Sequence, residues 1–316
     1  MKPFAFVFPG QGSQSVGMLD AWGDHPVIAQ TLAEASEALG QDIGRLIKEG
    51  PKEALALTTN TQPVMLVAGV AAYRMWIAET GVAPTLMAGH SLGEYSALVA
   101  SGVLSLSQAA PLVRFRAEAM QDAVPVGVGA MAAILGMEAV RVIEGCAETV
   151  RAFGPDSSEV VEAVNFNDPM QTVIAGTKAA VERACEVLKA NGAKRALPLP
   201  VSAPFHSSLM RPAAEKLKER LAAVDFAAPQ IPVINNIAVA VEIQADRIRE
   251  ALYAQAFRPV RWVECVRAIK AQGVTTLVEC GPGKVLAGMV KRIDSELTGA
   301  PLFDPVSLAA VKEMLA

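Results

Sequence analysis

The stretch Gly89-His90-Ser91-Leu92-Gly93 fits the pattern Gly-x-Ser-x-Gly. The apolar run at 85–88 predicts a short buried strand before it, and the spacing of Tyr95 and Leu98 predicts a helix after it. Such a sharp strand-to-helix turn exposes its serine at a helix N-terminus, where free N–H groups favour developing negative charge. A chance match would explain the five residues alone. With the flanking strand and helix, we interpret them as a nucleophile elbow with Ser91 as nucleophile.

The same order of strand and helix recurs elsewhere in the chain. Phe4 to Phe8 is an apolar run that Pro9-Gly10 ends, and strands and helices alternate again after about residue 200, which predicts parallel βα units. The segment between them has the order β-α-β-β-α-β of a ferredoxin-like unit. We therefore predict an α/β fold: a hydrolase-like parallel-sheet domain in residues 1–127 and 199–316, interrupted by a ferredoxin-like (βαββαβ) subdomain in residues 128–198.

A serine hydroxyl needs a base to take its proton, and the chain has 3 histidines. His25 lies in a polar loop, and the ring of His90 is expected to point away from the side chain of Ser91. His206 follows a strand and opens a helix, so it is the candidate base; a structural hydrogen bond is the alternative. Asp168 is the best-placed acid for a triad, but an Asn-Asp-Pro turn explains it. We therefore predict a dyad whose histidine is oriented by a group other than a carboxylate.

Two arginines lie in the helix predicted at about 105–122. Arg114 can pair in solvent with Glu118 at i+4, whereas Arg116 shares a face with apolar residues. An unpaired buried cation costs several kcal/mol, so Arg116 needs an anion. A protein carboxylate and a substrate carboxylate are both possible, because the planar fork of arginine suits either.

Composition excludes several classes of function. Hydrophobic residues make up 52% of the 316 residues, the net charge is −4, and the basic residues are scattered, so neither nucleic acid nor a membrane is an expected partner. The longest apolar stretch, Val64 to Tyr73, is far shorter than the roughly 20 residues that span a bilayer. The 4 cysteines have no CxxC pair, and no secretory segment is recognisable, so we expect reduced thiols in a cytoplasmic protein and no metal site.

Gly10 and Gly12 follow the first predicted strand and could suggest a dinucleotide-binding loop. The third glycine of that fingerprint is absent, since position 15 is Ser, and no acidic residue closes a suitable βαβ unit. An oxyanion-hole loop explains the same glycines, because they let a backbone N–H approach the substrate.

Taken in order, several short motifs resemble the malonyl-CoA:acyl carrier protein transacylase family of bacterial fatty acid synthesis. The resemblance runs through nearly the whole chain. The motifs that carry it are Phe8-Pro9-Gly10-Gln11-Gly12-Ser13-Gln14, Gly89-His90-Ser91-Leu92-Gly93-Glu94-Tyr95-Ser96, Arg116, Asn165-Phe166-Asn167, Pro204-Phe205-His206, Gln255, Pro259-Val260-Arg261-Trp262 and Glu279-Cys280-Gly281-Pro282-Gly283.

The resemblance implies a role for each group. Ser91 would be acylated and His206 would act as base and then as acid, with its imidazole oriented by the main-chain carbonyl of Gln255. The backbone N–H groups of Gln11 and Leu92 would form the oxyanion hole.

Substrate contacts follow from the same resemblance. Arg116 would hold the malonyl carboxylate, and Phe205, His90 and Asn165 would also contact the substrate. Phe205 would crowd a 2-methyl group, because related modular acyltransferases carry phenylalanine there in malonyl-specific forms.

The implied activity is malonyl transfer from malonyl-CoA to the phosphopantetheine thiol of holo acyl carrier protein, for fatty acid biosynthesis. We expect a monomer that needs no metal or redox cofactor. The alternatives are a serine hydrolase with the same elbow, a related transferase of a polyketide or malonate decarboxylase system, and a non-catalytic scaffold that binds carrier protein.

Overall fold

Two separate sheets organise the part of the chain that the computed structural model describes, residues 1–201 and 203–316. The strands in this part, in chain order, are β1 (Phe4–Phe8), β2 (Leu86–Gly89), β3 (Gly129–Leu135), β4 (Val161–Asp168), β5 (Gln171–Thr177), β6 (Arg195–Pro198), β7 (Val233–Ile234), β8 (Thr276–Cys280) and β9 (Thr298–Leu302).

Helices cover both sheets. Those in the described residues are α1 (Pro26–Leu39), α2 (Ile43–Glu49), α3 (Lys52–Ala56), α4 (Thr58–Thr80), α5 (Gly93–Ala100), α6 (Leu106–Asp122), α7 (Ala139–Phe153), α8 (Lys178–Ala190), α9 (Arg211–Ala222), α10 (Ala245–Phe257), α11 (Trp262–Ala271), α12 (Val285–Ile293) and α13 (Pro305–Leu315). Two 3₁₀ turns accompany them, at Asp20–Trp22 and Ser208–Met210. Among these described helices, none is long and apolar enough to cross a membrane.

The larger sheet is parallel, with the strand order β7-β2-β1-β8-β9. Every residue of β1 is buried, as expected for a central strand covered on both faces. In the register of β1 with β2, Phe8 lies opposite Gly89, so both strands end at the same edge of the sheet. Ligands of open α/β sheets bind at the carboxyl ends of the strands, which makes this edge the place to look for a site.

The smaller sheet is antiparallel, with the order β4-β5-β3-β6. α7 and α8 pack on one face of it, over a separate apolar cluster that includes Ile134, Val142, Ile174 and Leu188. The order β3-α7-β4-β5-α8-β6 is the one predicted from the sequence, and the α/β fold class with a ferredoxin-like unit is confirmed.

Strand β4 joins this unit to the parallel-sheet domain. Val260 donates its backbone N–H to Val164 O at 2.8 Å and accepts from Phe166 N at 3.0 Å. On the same side, Arg292 Nε of α12 donates to Asp168 Oδ2 at 2.8 Å. The edge strand of the small sheet therefore lies against the large domain near the carboxyl ends of its strands.

Several elements differ from the sequence prediction. Neither the short helices α2 and α3 nor the segment from α12 to α13 was predicted. β9 escapes a pattern search because its sequence Thr-Gly-Ala-Pro-Leu contains glycine and proline, which a strand tolerates at the edge of a sheet, where β9 lies. The 3₁₀ turn separates His206 from α9, so this histidine lies in the preceding loop and does not open the helix.

Candidate active site

The turn between β2 and α5 puts Ser91 in a strained backbone conformation. Its φ is 52°, in the left-handed region that non-glycine residues rarely adopt. Both flanking glycines are sterically required. A Cβ on Gly89 would lie 1.9 Å from the carbonyl carbon of Gly93, and a Cβ on Gly93 would lie 2.0 Å from Phe8 O. These contacts give the physical reason for the Gly-x-Ser-x-Gly pattern at this position.

Ser91 and His206 meet although 115 positions separate them in the chain. Ser91 Oγ lies 2.7 Å from His206 Nε2, and His206 Nδ1 lies 2.7 Å from the main-chain oxygen of Gln255. A carbonyl only accepts, so Nδ1 carries the proton, and Nε2 is left to accept from the serine hydroxyl. This tautomer is the one a general base needs.

His206 is held neutral by its surroundings. Burial, with a contribution from the nearby positive charge of Arg116, lowers the pKa of His206 to about 3 against the opposing hydrogen bond to Gln255. The backbone of His206 is also strained, with φ at 64°. The imidazole is therefore a neutral acceptor at physiological pH.

Arg116, on α6, is buried at 2% exposure and reaches the same serine. Its Nη2 donates to Ser91 Oγ at 3.3 Å and to Gln255 Oε1 at 3.1 Å, and its Nη1 donates to Gln62 Oε1 at 2.6 Å. Its Nε has no hydrogen-bond partner among the described residues. The guanidinium is thus anchored by neutral oxygens beside the nucleophile.

Arg114 does not make the predicted ion pair with Glu118. Its Nη2 donates to Gln41 Oε1 and to Asn60 Oδ1, so it faces the α1–α2 connection and the start of α4. The i+4 prediction was wrong because a neighbouring loop, invisible to helical spacing, offers amide oxygens within reach.

The loop 9–12 lies against the elbow. A Cβ on Gly10 would lie 2.7 Å from the main-chain oxygen of His90, so only glycine permits this approach. The Gln11 side chain donates to Thr58 Oγ1 at 3.1 Å, and Leu92 is the N-cap residue of α5. The oxyanion-hole role of the Gln11 and Leu92 N–H groups stays a prediction.

The other predicted site residues are distributed around the elbow. His90 Nε2 donates to Asn167 Oδ1 at 2.8 Å, and its ring packs edge-on against Trp262. Asn165 Oδ1 is buried with no partner in the described residues, and Phe205 is 8% exposed directly before the base. Their contacts with substrate stay predictions.

Asp168 is the last residue of β4, and the partner of His206 Nδ1 is Gln255 O instead of this carboxylate. Its Oδ1 accepts from Met170 N at 2.8 Å, and its Oδ2 accepts from Arg292. One oxygen of the carboxylate therefore stabilises the turn, and the other joins the small sheet to α12 of the larger domain.

Asn236 is a site residue that sequence reasoning missed. Its Oδ1 accepts from Ser91 N at 2.8 Å, and its Nδ2 donates to Gly89 O at 2.7 Å, so one side chain clamps both sides of the elbow. The available signal was its position two residues after β7, since polar residues at the carboxyl ends of parallel strands meet at one edge.

A cavity of about 530 Å³ is lined by His206 and by residues of both parts of the fold. The ferredoxin-like unit contributes Ala163 and Phe166 to its wall, and the larger domain contributes Phe257 and the cations Arg211 and Arg258. No cluster of three or more His, Cys, Asp or Glu side chains that could hold a metal ion occurs in residues 1–201 and 203–316. The arrangement can activate a serine next to a fixed cation, and the base of that serine lines a cavity.

Comparisons with known proteins agree with this chemistry. The family model described as an acyl transferase domain matches residues 5–302. The malonyl CoA-acyl carrier protein transacylase of Escherichia coli (strain K12) is 52% identical over 99% of this chain and 100% of its own length.

Solved structures give the same result. The acyl-carrier-protein S-malonyltransferase of Burkholderia pseudomallei 1710b superposes with a TM-score of 0.95 at 62% identity, covering 99% of this chain and 100% of that one. A malonyl-transacylase solved in complex with a holo type II PKS acyl-carrier protein has a TM-score of 0.95 at 50% identity, with coverage of 99% and 100%. The chain therefore belongs to the acyl transferase domain family and, within it, to the malonyl CoA-acyl carrier protein transacylases.

Proposed function

We propose that this protein transfers a malonyl group from malonyl-CoA to the phosphopantetheine thiol of an acyl carrier protein, through a malonyl ester of Ser91. The observation that carries the proposal is the geometry at Ser91 Oγ, which lies 2.7 Å from His206 Nε2 and 3.3 Å from Arg116 Nη2. A base for the hydroxyl and a cation for the acyl carboxylate converge on one atom.

In the first half-reaction, Ser91 Oγ attacks the thioester carbon of malonyl-CoA while His206 Nε2 takes the hydroxyl proton. The backbone N–H groups of Gln11 and Leu92 stabilise the oxyanion of the tetrahedral intermediate. The intermediate collapses, the carbon–sulfur bond breaks, and the Nε2 proton goes to the departing sulfur of coenzyme A.

In the second half-reaction, the phosphopantetheine thiol gives its proton to His206 Nε2 and attacks the malonyl ester. Collapse of this second tetrahedral intermediate returns the proton to Ser91 Oγ and releases the malonyl thioester. Oxidation states do not change and one imidazole moves every proton, so we propose that no metal or redox cofactor takes part.

Arg116 supplies selectivity in this scheme. Its guanidinium binds the free carboxylate of the malonyl group and fixes the thioester carbon over Ser91, which makes attack effectively intramolecular. Carboxylate binding also orients the ester toward a thiol that enters by the cavity beside His206, while the burial of Arg116 and His206 limits access of water.

Its metabolic setting is also part of the proposal. Membership of the malonyl CoA-acyl carrier protein transacylases supports a role in fatty acid biosynthesis, although one relative was solved with a carrier protein of a type II PKS. Comparing kcat/KM for the two kinds of carrier protein distinguishes these roles. The monomeric state and cytoplasmic location stay predictions that light scattering and cell fractionation can test.

The test of the proposed function is intact mass spectrometry after mixing the enzyme with malonyl-CoA and then with holo carrier protein. The wild type should gain one malonyl group and lose it to the carrier protein, and Ser91→Ala should gain none. Ser96→Ala is the matched control, because Ser96 is a buried serine on the following helix, α5, whose hydroxyl has no partner in the described residues. A malonyl adduct on Ser91→Ala would exclude this nucleophile, and an adduct lost to water without transfer would indicate a hydrolase.

A further inference from the structure

The side chain of Gln255 lies between the groups that define the site. Its main-chain oxygen accepts from His206, its Oε1 accepts from Arg116 Nη2 at 3.1 Å, and its Nε2 donates to Ser91 O at 3.1 Å. The residue is completely buried, so water cannot substitute for any of these partners.

A carboxamide has two orientations of almost equal shape, and only one of them serves Arg116. With Oε1 toward the guanidinium, the amide accepts where a donor faces it. In the flipped orientation its NH₂ group would face the guanidinium N–H groups, and both would lose a buried partner. Some neighbour must therefore select the orientation.

Two neighbours make this selection: the main-chain oxygen of Ser91, which accepts from Gln255 Nε2 at 3.1 Å, and the carboxyl group of Glu94. Its Oε2 accepts from Gln255 Nε2 at 2.9 Å and from the backbone N–H of Asn236 at 2.9 Å. Burial raises the pKa of Glu94 to about 7, but an oxygen that faces two N–H groups accepts in either protonation state of the carboxyl group. The NH₂ end of Gln255 therefore has to face Glu94, and Oε1 is left for Arg116. Glu94 is itself 2% exposed.

Glu94 reaches Arg116 only through the Gln255 amide, and this indirect arrangement also suits the charge on Arg116. The oxygens that Arg116 contacts among the described residues belong to Gln62, Gln255 and Ser91, and none of them is ionised. A carboxylate directly against the guanidinium would occupy the fork that a substrate carboxylate requires. One amide away, Glu94 fixes the guanidinium through Gln255 without itself occupying an N–H group of Arg116.

We propose that Glu94 is a positioning residue, whose carboxylate orients the Gln255 amide so that Arg116 is fixed to receive the carboxylate of the acyl group. This inference rests on the proposed function. The contact between Gln255 and His206 uses the main chain of α10 and does not depend on the amide orientation, so loss of Glu94 should weaken acyl selectivity more than serine activation.

Two variants separate the hydrogen bonds from the bulk of the side chain. Glu94→Met keeps the length of the side chain and removes the acceptor, whereas Glu94→Gln can present Oε1 to the same two N–H groups. The measurement is kcat/KM for malonyl-CoA and acetyl-CoA with holo carrier protein. Arg116→Ala serves as the reference for complete loss of carboxylate binding, since it should lower malonyl transfer and leave acetyl transfer unchanged or improved.

We expect Glu94→Met to lower the malonyl-to-acetyl ratio by about 10-fold to 100-fold, the usual effect of losing a hydrogen bond to a charged group. Glu94→Gln should restore most of the ratio. The matched control is Glu279→Gln, which changes another buried carboxyl group, one that accepts from Ala287 N in α12, and should leave the ratio unchanged. An equal loss of malonyl and acetyl transfer in Glu94→Met, or a Gln variant as impaired as the Met variant, would overturn the inference.

The failure of each hypothesis has its own signature. If the wild type does not prefer malonyl-CoA and Arg116→Ala changes nothing, the proposed function fails. If both behave as proposed and Glu94→Met keeps the wild-type ratio, only the positioning role fails. Should Glu94→Met not fold, Glu94→Asp replaces it: the carboxyl group is kept but withdrawn by one methylene, and an unchanged ratio again overturns the inference.

Discussion

Ser91 and His206 both occupy the left-handed region of backbone space, with φ values of 52° and 64°. Such conformations cost on the order of 1–3 kcal/mol each and persist only where the surroundings enforce them. At Ser91 the side chain of Asn236 bonds both sides of the turn, and at His206 the ring is fixed by Gln255 O. The strained backbone conformations of Ser91 and His206 therefore direct their side chains toward each other, and neighbouring hydrogen bonds hold these conformations in place.

The low pKa of His206 leads to a prediction about pH. Because the folded-state pKa is about 3, well below the ordinary value of 6.5, the neutral base persists as the pH falls. The rate at which an uncharged sulfonyl fluoride modifies Ser91 should thus stay constant from pH 8 down to about pH 5. His206→Ala is the control and should react slowly throughout this range. A wild-type rate that halves near pH 6.5 would show that the imidazole titrates normally.

At the scale of single elements, helix α12 begins against a buried carboxylate. Glu279 of β8 is fully buried, and its Oε2 accepts from Ala287 N at 2.8 Å at the N-terminus of α12. Burial raises the pKa of Glu279 to about 7, although the backbone N–H groups of Ala287, Leu286 and Val285 oppose the shift. The strand and the helix are thus joined through a carboxylate that titrates near neutral pH.

This contact predicts a pH-dependent effect of Glu279→Gln on stability. A pKa raised in the folded state means that its contribution to stability is full below pH 4.5 and is lost as the pH rises through 7. Glutamine keeps an acceptor and does not titrate. The free energy of unfolding of Glu279→Gln relative to wild type should rise by about 1–3 kcal/mol between pH 5 and pH 8, since one pKa unit is about 1.4 kcal/mol. Urea unfolding at both pH values measures the difference, and a constant difference would contradict the assigned pKa.

The elements show what the sequence could predict and where it could not. β1 and β2 have apolar runs bounded by proline or glycine, and the small sheet has its turns marked by Asn-Asp-Pro and Asn-Gly, so local chemistry defines them. β9 has no such pattern, because an edge strand needs less apolar surface. Ser91 and His206 could be predicted from residue type and context. The partnership of Glu94 with Gln255 and Asn236 could not, because it joins residues 161 and 142 positions apart, and only the fold brings them together.

At the scale of the whole molecule, the cavity beside His206 keeps its shape only if the two sheets keep their positions relative to each other. The contact between Asp168 and Arg292 is one of the links between them, with the Asp side chain 5% exposed and the Arg side chain 54% exposed. It joins β4 to α12 at a distance from the reacting serine. Its role is to hold the two parts together.

Asp168→Asn should therefore affect stability and leave catalysis almost unchanged. Asparagine keeps the acceptor for Met170 N and loses the ion pair, so the free energy of unfolding should fall by about 1 kcal/mol or less. Malonyl transfer should stay close to the wild-type rate in a steady-state assay. Arg292→Gln, which removes the other partner, should give a similar result. Loss of activity as severe as in His206→Ala, with the fold intact, would instead support an acid–histidine–serine triad.

The strand order of the parallel sheet has a consequence for biosynthesis. β1 lies between β2 and β8, and β8 is made of residues 276–280, near the far end of the chain. On the ribosome, the elbow is translated long before His206, Asn236, Gln255 and β8 exist. A nascent chain therefore carries its nucleophile without the base His206, without the clamping Asn236 and without a complete sheet. It cannot react with coenzyme A thioesters at that stage. The enzyme becomes competent only after residues 276–280 have left the exit tunnel.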